Sequence, residues 1–363
     1  MPKTTINKAI QYAEDITSGK IAAPKWIRLA VKKHISDLKK AKRKDFPFVF
    51  DEDAADHALA VFSFFKFSYG QGKEKPFILS PWQAFILWVA YGWKVKTSGK
   101  RRYTKIFILV PRKNGKTEML AGIGIYGQFF DEYAKDAEVV WFATKKNQAR
   151  IGFDRQTSMS KLLCADSVEF ARHCRFTKQR IYSLTDLSRT MYLGRDKKED
   201  GLSPSTGICD EYHSHETDEM MHVVTSGMVG RSSPQTWIIS TAGTNPNGPC
   251  ARFQKTCEQV LLNKIPEAGI LPFLWTLDQG DDWQNPEIWA KVNPNLNVSV
   301  DLDTLTAEYN KALAEGTAAR SNFRTKNLNI WEKANQVWIT DEAWMASGSN
   351  FKEKDLEGRV CFG

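Results

Sequence analysis

The chain has 363 residues, 42% hydrophobic and 26% charged, an ordinary globular composition with length enough for a sizeable core in two or three structural units. Its formal charge of +9 and pI near 9.1 favour an anionic partner without by themselves singling out nucleic acid. No apolar run approaches the roughly 18 residues of a membrane span, the start Met1-Pro2-Lys3 lacks a signal-peptide core, and the cysteines at 164, 174, 209, 250, 257 and 361 form no CxxC pair; a membrane protein and a secreted disulfide scaffold are excluded, and the thiols read as reduced and cytoplasmic.

The first 75 residues predict a helical region of separate character. Ile6, Ile10, Ala13 and Ile16 share a face before Gly19, and Pro24 opens a second helix with an apolar stripe of Ile27, Val31, Ile35 and Leu38. Lys25, Arg28, Lys32, Lys33, Lys39, Lys40, Lys42, Arg43 and Lys44 crowd its other face, relieved only by Asp37, as either a solvated face or a surface for DNA or another partner. A third helix opens at Asp51, Glu52 and Asp53, closes near Gly70 and sends Leu59, Phe62 and Phe65 into the core. Ser80, Pro81 and Gln83 then read as N-cap, N1 and N3 of a capping box, in which Gln83 satisfies an orphan backbone donor.

The apolar run 106–110 predicts a strand, and it leads into Val110, Pro111, Arg112, Lys113, Asn114, Gly115, Lys116 and Thr117. This window fits GxxxxGK[ST] at its second glycine, lysine and hydroxyl, with Val110 where the first glycine belongs. In such a loop backbone N–H groups wrap a phosphate at a helix N-terminus, Lys116 reaches the β and γ oxygens of ATP, and the Thr117 hydroxyl takes a position on Mg²⁺. A basic turn is the plainer reading, but five β-formers before the loop and the helix-forming Met119 to Ile123 after it favour the cradle.

A second strand is expected over 138–143, two helices over 145–175 and a short strand over 190–193. The run 206–211 ends in Asp210 and Glu211, about 95 residues after the cradle. At the carboxyl edge of a parallel sheet Asp210 can hold Mg²⁺ through water and Glu211 can orient or deprotonate the attacking water; the bland reading is a strand running into an acidic turn. His213 and His215 stand one residue apart beside carboxylates, but no further ligands lie near enough in sequence for a zinc site. The next strand, 235–241, ends in Ser240 and Thr241, hydroxyls placed to sense the γ-phosphate or the attacking water. Arg231 and Arg112 compete as the arginine that reaches a phosphate, in cis or across a subunit interface. Beyond 245 the pattern predicts a strand over 273–277, punctuation at Asn293-Pro294-Asn295, and a helix capped by Asp301 that runs to Glu315 before Gly316.

Taken together, these strings resemble the tailed-phage terminase large subunits, the DNA-packaging motors. The deviant cradle with Arg112 is similar to that family's Walker A loop, residues 79–85 resemble its adenine motif, and 143–149 the segment after its second strand. Gly201 to Pro204 precede the acidic strand as they do there, 237–243 looks like the coupling motif, and Phe323 to Asn329 resembles the end of the lid region. The resemblance runs from about Trp26 to Trp331. It implies that Gln83 reads adenine, that the region after 245 is a lid, and that a linker over 330–342 leads to an RNase H-like nuclease domain. Gly358 to Gly363 looks like the first strand of that domain, before its first metal-binding aspartate. The chain is therefore expected to be the ATPase part of a larger terminase, truncated before the nuclease and without cleavage activity of its own.

The expected fold is α/β, a P-loop NTPase of RecA-like, ASCE type with a mostly parallel sheet flanked by helices. The expected division is a helical region 1–75, an ATPase core 76–245, a lid and linker 246–342, and the start of a nuclease domain 343–363. ATP and Mg²⁺ are the expected cofactors. Double-stranded DNA, the portal protein, the small terminase subunit and further copies in a ring are the expected partners, in the cytoplasm of the infected host and without a membrane. The alternative is a DExH-type helicase or other remodelling ATPase, since Asp210 to His213 spell that box; against it stand the missing second RecA-like core and the missing Gln-x-x-Arg-x-Gly-Arg string.

Overall fold

A computed structural model describes residues 3–133, 135–195, 201–332 and 346–348. The chain divides after Glu332, so the expected strand at 358–363, the region 343–363 and most of the 330–342 linker lie outside the described residues.

The N-terminal helices belong to the same compact unit as everything up to Glu332. Helix α1 (Lys3–Ser18) buries Ala9, Tyr12, Ala13 and Ile16, and Tyr12 meets Phe85 with ring centroids 5.6 Å apart. That docking turns the face by one residue from the expected one, and Ile10 is exposed. Helix α2 (Lys25–Ala41) buries Ile27, Ala30, Val31, His34 and Asp37. Its basic face is partly consumed inside the molecule: Lys33 pairs with Asp37 and Glu267, Lys40 with Asp37, and Arg28 with Asp278. Asp37 is 2% exposed and accepts from Arg102 at 2.6 Å.

Strand β1 (Phe48–Phe50) leads into α3 (Glu52–Phe62), whose N-cap Asp51 accepts from Ala54 N. The helix ends at Phe62 rather than near Gly70. Phe62 and Phe65 both enter the core, and the chain then doubles back through Phe67 N to Lys75 O and Phe77 N to Phe65 O. Helix α4 (Pro81–Gly92) opens on the expected capping box and is buried along its whole length from Trp82, as an all-round apolar helix must be. It passes directly into β2 (Trp93–Val95), which pairs antiparallel with β1; this ribbon was not anticipated.

The central sheet is built from β3 (Lys105–Leu109), β4 (Glu138–Phe142), β5 (Cys174–Phe176), β6 (Arg180–Ser183), β7 (Arg189–Leu193), β8 (Thr206–Asp210), β9 (Gln235–Ser240) and β10 (Ile270–Leu274). Their order is β10-β3-β9-β8-β4-β7-β6-β5, with the first six parallel and β6 and β5 added antiparallel at one edge. The fold is α/β, as expected. The parallel strands are nearly continuous apolar runs because helices cover both faces. Strand β10 begins three residues earlier than expected; it contains Pro272, which an edge strand tolerates because one side of it has no ladder partner.

Between the strands run α5 (Lys116–Phe129), α6 (Lys146–Asp166), α7 (Val168–Arg172), α8 (Glu219–Gly227) and α9 (Pro249–Leu261). Gly152 of α6 lets that helix lie against β4, since a Cβ there would stand 2.1 Å from the Trp141 ring. After β10 come α10 (Pro286–Trp289), α11 (Leu302–Glu315) and α12 (Thr317–Leu328). Asp301 caps α11 by accepting from Thr304 N, as its sequence predicts. Among the described residues no helix is long and apolar enough to cross a membrane.

Candidate active site

The strand order puts β9 between β3 and β8, so the loops leaving the ends of these three strands meet at one sheet edge. Leu109 lies opposite Ser240, and Asp210 opposite Ile239. The carboxyl edge of a parallel sheet is where ligands bind in such folds.

Val110 extends the ladder by donating its N–H to Ser240 O at 3.0 Å. Its backbone is not in the positive-φ region, which is why the loop needs no glycine there. The left-handed positions are Lys113 (φ 64°) and Gly115 (φ 76°). Lys113 is held in that conformation, which costs a non-glycine residue about 1–2 kcal/mol, by its ion pair with Glu308 and by Ser299 Oγ donating to its carbonyl. A Cβ at Gly115 would approach Gln83 Nε2 to 3.2 Å and Asn295 Nδ2 to 3.4 Å.

Asn114 is completely buried and is the loop's main internal brace. Its amide donates to Pro111 O, Arg112 O and Asn293 Oδ1, and its Oδ1 accepts from Asn295 N. Asn295 Nδ2 donates in turn to Asn114 O, and Asn295 Oδ1 accepts from Trp82 Nε1 at 2.8 Å. The Asn293-Pro294-Asn295 string, which the sequence presents as a mere turn, thus clamps the cradle from about 180 residues downstream. Gln83 serves two ends: Oε1 accepts from Ser80 N in the capping box, and Nε2 donates to Gly115 O at 3.3 Å.

Lys116 is buried, with Nζ donating to Val110 O and Pro111 O at 3.0 and 3.2 Å. Burial lowers its pKa, against the opposing charges of Glu211 and Asp210. Thr117 Oγ1 donates to Asp210 Oδ2 at 3.4 Å. The two carboxylates are driven apart. Burial, and then the Glu211 charge, push Asp210 up, whereas Glu211 is held low against burial by His213 and by the charge of Lys116. Glu211 has φ 57°, and this left-handed turn leads into a short 3₁₀ turn over Tyr212–Ser214.

His213 is the centre of a contact set that the sequence did not reveal. Its Nδ1 lies 3.0 Å from Glu211 Oε2, 3.1 Å from Ser240 Oγ and 3.4 Å from Thr241 Oγ1. Its backbone N–H donates to Ser240 Oγ, and its Nε2 lies 3.0 Å from Lys326 Nζ. Burial lowers the pKa of Lys326, followed by the charge of Arg112. Ser240 and Thr241 therefore do stand beside the acidic pair, but they touch it through His213. Among the described residues no group of three or more His, Cys, Asp and Glu could hold a metal ion, and His215 faces Cys209.

The two candidate arginines separate. Arg112 is exposed at the mouth of a cavity of about 340 Å³ lined also by Lys113, Asp301, Glu308, Lys311 and Lys326, with its backbone N–H donating to Lys326 O. Arg231 lies before β9, at the opposite sheet edge, and its guanidinium donates to the carbonyls of Ser203, Lys135 and Asp136. The structure does not bring it to the cradle of its own chain. The string Phe323 to Asn329 was the one sequence signal that could have led to Lys326; for Asn293 and Asn295 the signal was only two asparagines flanking a proline.

Two family models match the chain: Terminase large subunit, ATPase domain, over residues 81–259, and Terminase large subunit, endonuclease domain, over residues 266–362. Between them they cover about three quarters of it. Protein YmfN of Escherichia coli K12 is 34% identical over 163 residues, 45% of this chain and 36% of that protein. The terminase large subunit of Enterobacteria phage HK97 is 22% identical over 271 residues, 70% of this chain and 52% of that protein. The crystal structure of the HK97 large terminase superposes with a TM-score of 0.64 at 21% identity, covering 76% of this chain and 55% of that one, a likeness of fold. The chain thus spans about a third and about half of the lengths of these two curated relatives. The endonuclease match corrects one expectation. The chain is not truncated before the nuclease region, because that match begins at residue 266, inside what the sequence presents as lid, and continues to residue 362. The helicase alternative is not favoured.

Proposed function

Because the chain belongs to the terminase large subunit family, we propose that it hydrolyses ATP to move double-stranded DNA into a procapsid. The observation that carries this reading is the convergence at one sheet edge of a phosphate-type loop, an Asp–Glu pair and a strand ending in hydroxyls, with Thr117 Oγ1 3.4 Å from Asp210 Oδ2.

The backbone N–H groups of 113–117 and the Lys116 ammonium bind the β- and γ-phosphates, and Gln83, beside Gly115, reads the adenine. Thr117 and Asp210, with oxygens 3.4 Å apart, would hold Mg²⁺ as adjacent hard oxygen donors of the kind it takes, and the ion would neutralise charge on the phosphates. Glu211, held low in pKa and oriented at the loop after β8, accepts the proton of the attacking water. Arg112, beside the cradle, stabilises charge on the transferring phosphoryl group, in cis or toward a neighbouring copy. Ser240 and Thr241, in contact with the acidic loop through His213, report loss of the γ-phosphate to the chain beyond β9.

Residues 1–75 are a helical platform, 76–245 the ATPase core, whose sheet takes its edge strand β10 from beyond 245, and 246–342 the lid and linker, whose Asn293 and Asn295 grip the cradle. The motor works in the cytoplasm of an infected host, as several copies in a ring with portal protein and small terminase subunit. ATP turnover is measured with and without duplex DNA over a salt series, followed by a strand-separation assay. Turnover stimulated by duplex in a salt-sensitive way, without strand separation, is the expected result. Unwinding would favour a helicase, and absence of turnover in every condition would sink the motor reading.

A further inference from the structure

We propose that Lys326 is a positioning residue for ATP hydrolysis, setting the proton on His213 and through it the orientation of the Glu211 carboxylate. The proposal rests on the reading of Glu211 as the acceptor of the water proton.

Two contacts in series carry it. Lys326 Nζ lies 3.0 Å from His213 Nε2, and His213 Nδ1 lies 3.0 Å from Glu211 Oε2. An ammonium has only donors, so Nε2 must accept and the ring proton must sit on Nδ1. That ring edge lies 3.0 Å from Glu211 Oε2, and its proton meets Ser240 Oγ at 3.1 Å and Thr241 Oγ1 at 3.4 Å. Without the ammonium, the proton is free to sit on Nε2, and a bare Nδ1 lone pair would face a carboxylate. Glu211 Oε2, buried and without a hydrogen-bond partner of its own, would lose the positive ring edge that lies 3.0 Å beside it.

Lys326 is itself held at both its backbone and its ammonium, which makes it more than a surface lysine that happens to be near. Its carbonyl accepts from Arg112 N of the cradle at 3.0 Å, and its Nζ lies 3.4 Å from Ala242 O just after β9. Three residues on, the fully buried Asn329 accepts from Ala242 N and donates to Trp275 O, pinning the end of α12 to the segments just after β9 and β10. The last turn of α12 thus ties the cradle, the end of β9 and the catalytic carboxylate together.

The test uses the full chain labelled with ¹⁵N. Long-range ¹⁵N–¹H correlation spectra resolve imidazole tautomers, and with six histidines in the chain the His213 signals are assigned by their loss in His213→Asn. The parent should show the His213 proton on Nδ1 with Nε2 bare, and Lys326→Met should move it to Nε2; Lys326→Leu serves if the methionine variant does not fold. In turnover, Lys326→Met and His213→Asn should each lower kcat about 10- to 100-fold, with the Kd for an ATP analogue within about threefold. Combining them should cost nothing further, and Lys326→Arg should recover most of the rate. A parent-like tautomer in Lys326→Met, or kcat losses that multiply in the double variant, would overturn the proposal. Glu211→Gln turning over like the parent would instead sink the assignment of the base, while leaving the tautomer result to stand by itself.

Discussion

Two regions of this chain bury charge, and they do it in opposite ways. Beneath the N-terminal helices, Asp37, Arg102 and Glu267 form a hub in which Arg102 donates to Asp37 and to both oxygens of Glu267, with Lys33 and Lys40 closing the set. The Arg102 guanidinium also lies over the rings of Phe48 and Trp93. At the sheet edge, by contrast, the Lys116 ammonium is met only by carbonyls of its own loop, and Asp210 and Glu211 are adjacent like charges. The first cluster pairs its carboxylates within the protein, although Arg102 Nη1 stays without a partner, whereas the second sets like charges side by side, as the proposed site for a polyanion and its metal would. Neither burial nor an unpaired atom alone therefore marks function; adjacent like charges at a ligand edge point to it.

The largest expected effect lies at the open cluster. Lys116→Ala should lower ATP turnover by at least about 10³-fold, and Glu211→Gln by about 10²–10⁴-fold while still binding nucleotide. If the two regions differ in this way, Asp210→Asn should leave the urea midpoint unchanged or raise it, because it removes one of two repelling buried charges. A clear loss of stability in Asp210→Asn would erase the distinction.

At the closed cluster the signs reverse. Arg102→Met removes the buried partner that Asp37 and Glu267 share, leaving them only Lys33 and Lys40, and should cost about 3–5 kcal/mol of stability by urea titration, with nucleotide affinity unchanged in the folded fraction. Retained stability would mean that the hub is dispensable.

A third expectation concerns the clamp. Asn295→Ala removes the partner of Trp82 Nε1 and of Asn114, and each buried group left unpaired costs about 1–3 kcal/mol. The KM for ATP should rise about tenfold with a smaller change in kcat, measured by steady-state turnover; an unchanged KM would mean that the cradle holds its shape unaided.

The smallest effect is on pH dependence. His34 is buried among Phe50, Phe85, Trp88 and Trp93, accepts from Trp93 Nε1 at 3.0 Å, and is held by burial at a pKa of about 3 against 6.5 for a free imidazole. The unfolded chain binds this proton first, so stability falls as pH drops below about 6.5, by up to about 1.4 kcal/mol per unit. Asp37, held low mainly by Arg102 against burial, adds its own loss only at lower pH, as it falls through the carboxylate range. His34→Phe should flatten the first part of the acid titration and leave the second; an unchanged titration would show that His34 does not contribute.

How much of this was legible depends on how far apart the partners lie. The amino-acid sequence by itself determined the cradle, the acidic pair, the hydroxyl-ended strand, the capping box at Ser80 and Gln83 and the Asp301 cap, because each is a local pattern of period, cap or loop chemistry spanning fewer than ten residues. It also led to the expectation of a mostly parallel sheet, from the cradle, the strand at 138–143 and the acidic run at 206–211 in that order. Short segments with weak periodicity, the β1–β2 ribbon and the β5–β6 edge, left too few residues for a pattern. What only the tertiary structure decided are pairings across long stretches of chain: Asn114 with Asn293, Arg102 with Asp37, and Lys326 with His213. A polar side chain carries in its own neighbourhood no record of which distant group will satisfy it. The pairing is set when the strands stack in the order β3-β9-β8 and bring α12 down on the loop after β8. The same reason separates the arginines: their sequence surroundings did not choose between them, and the sheet's direction put Arg112 at the edge where β3, β9 and β8 end and Arg231 at the other.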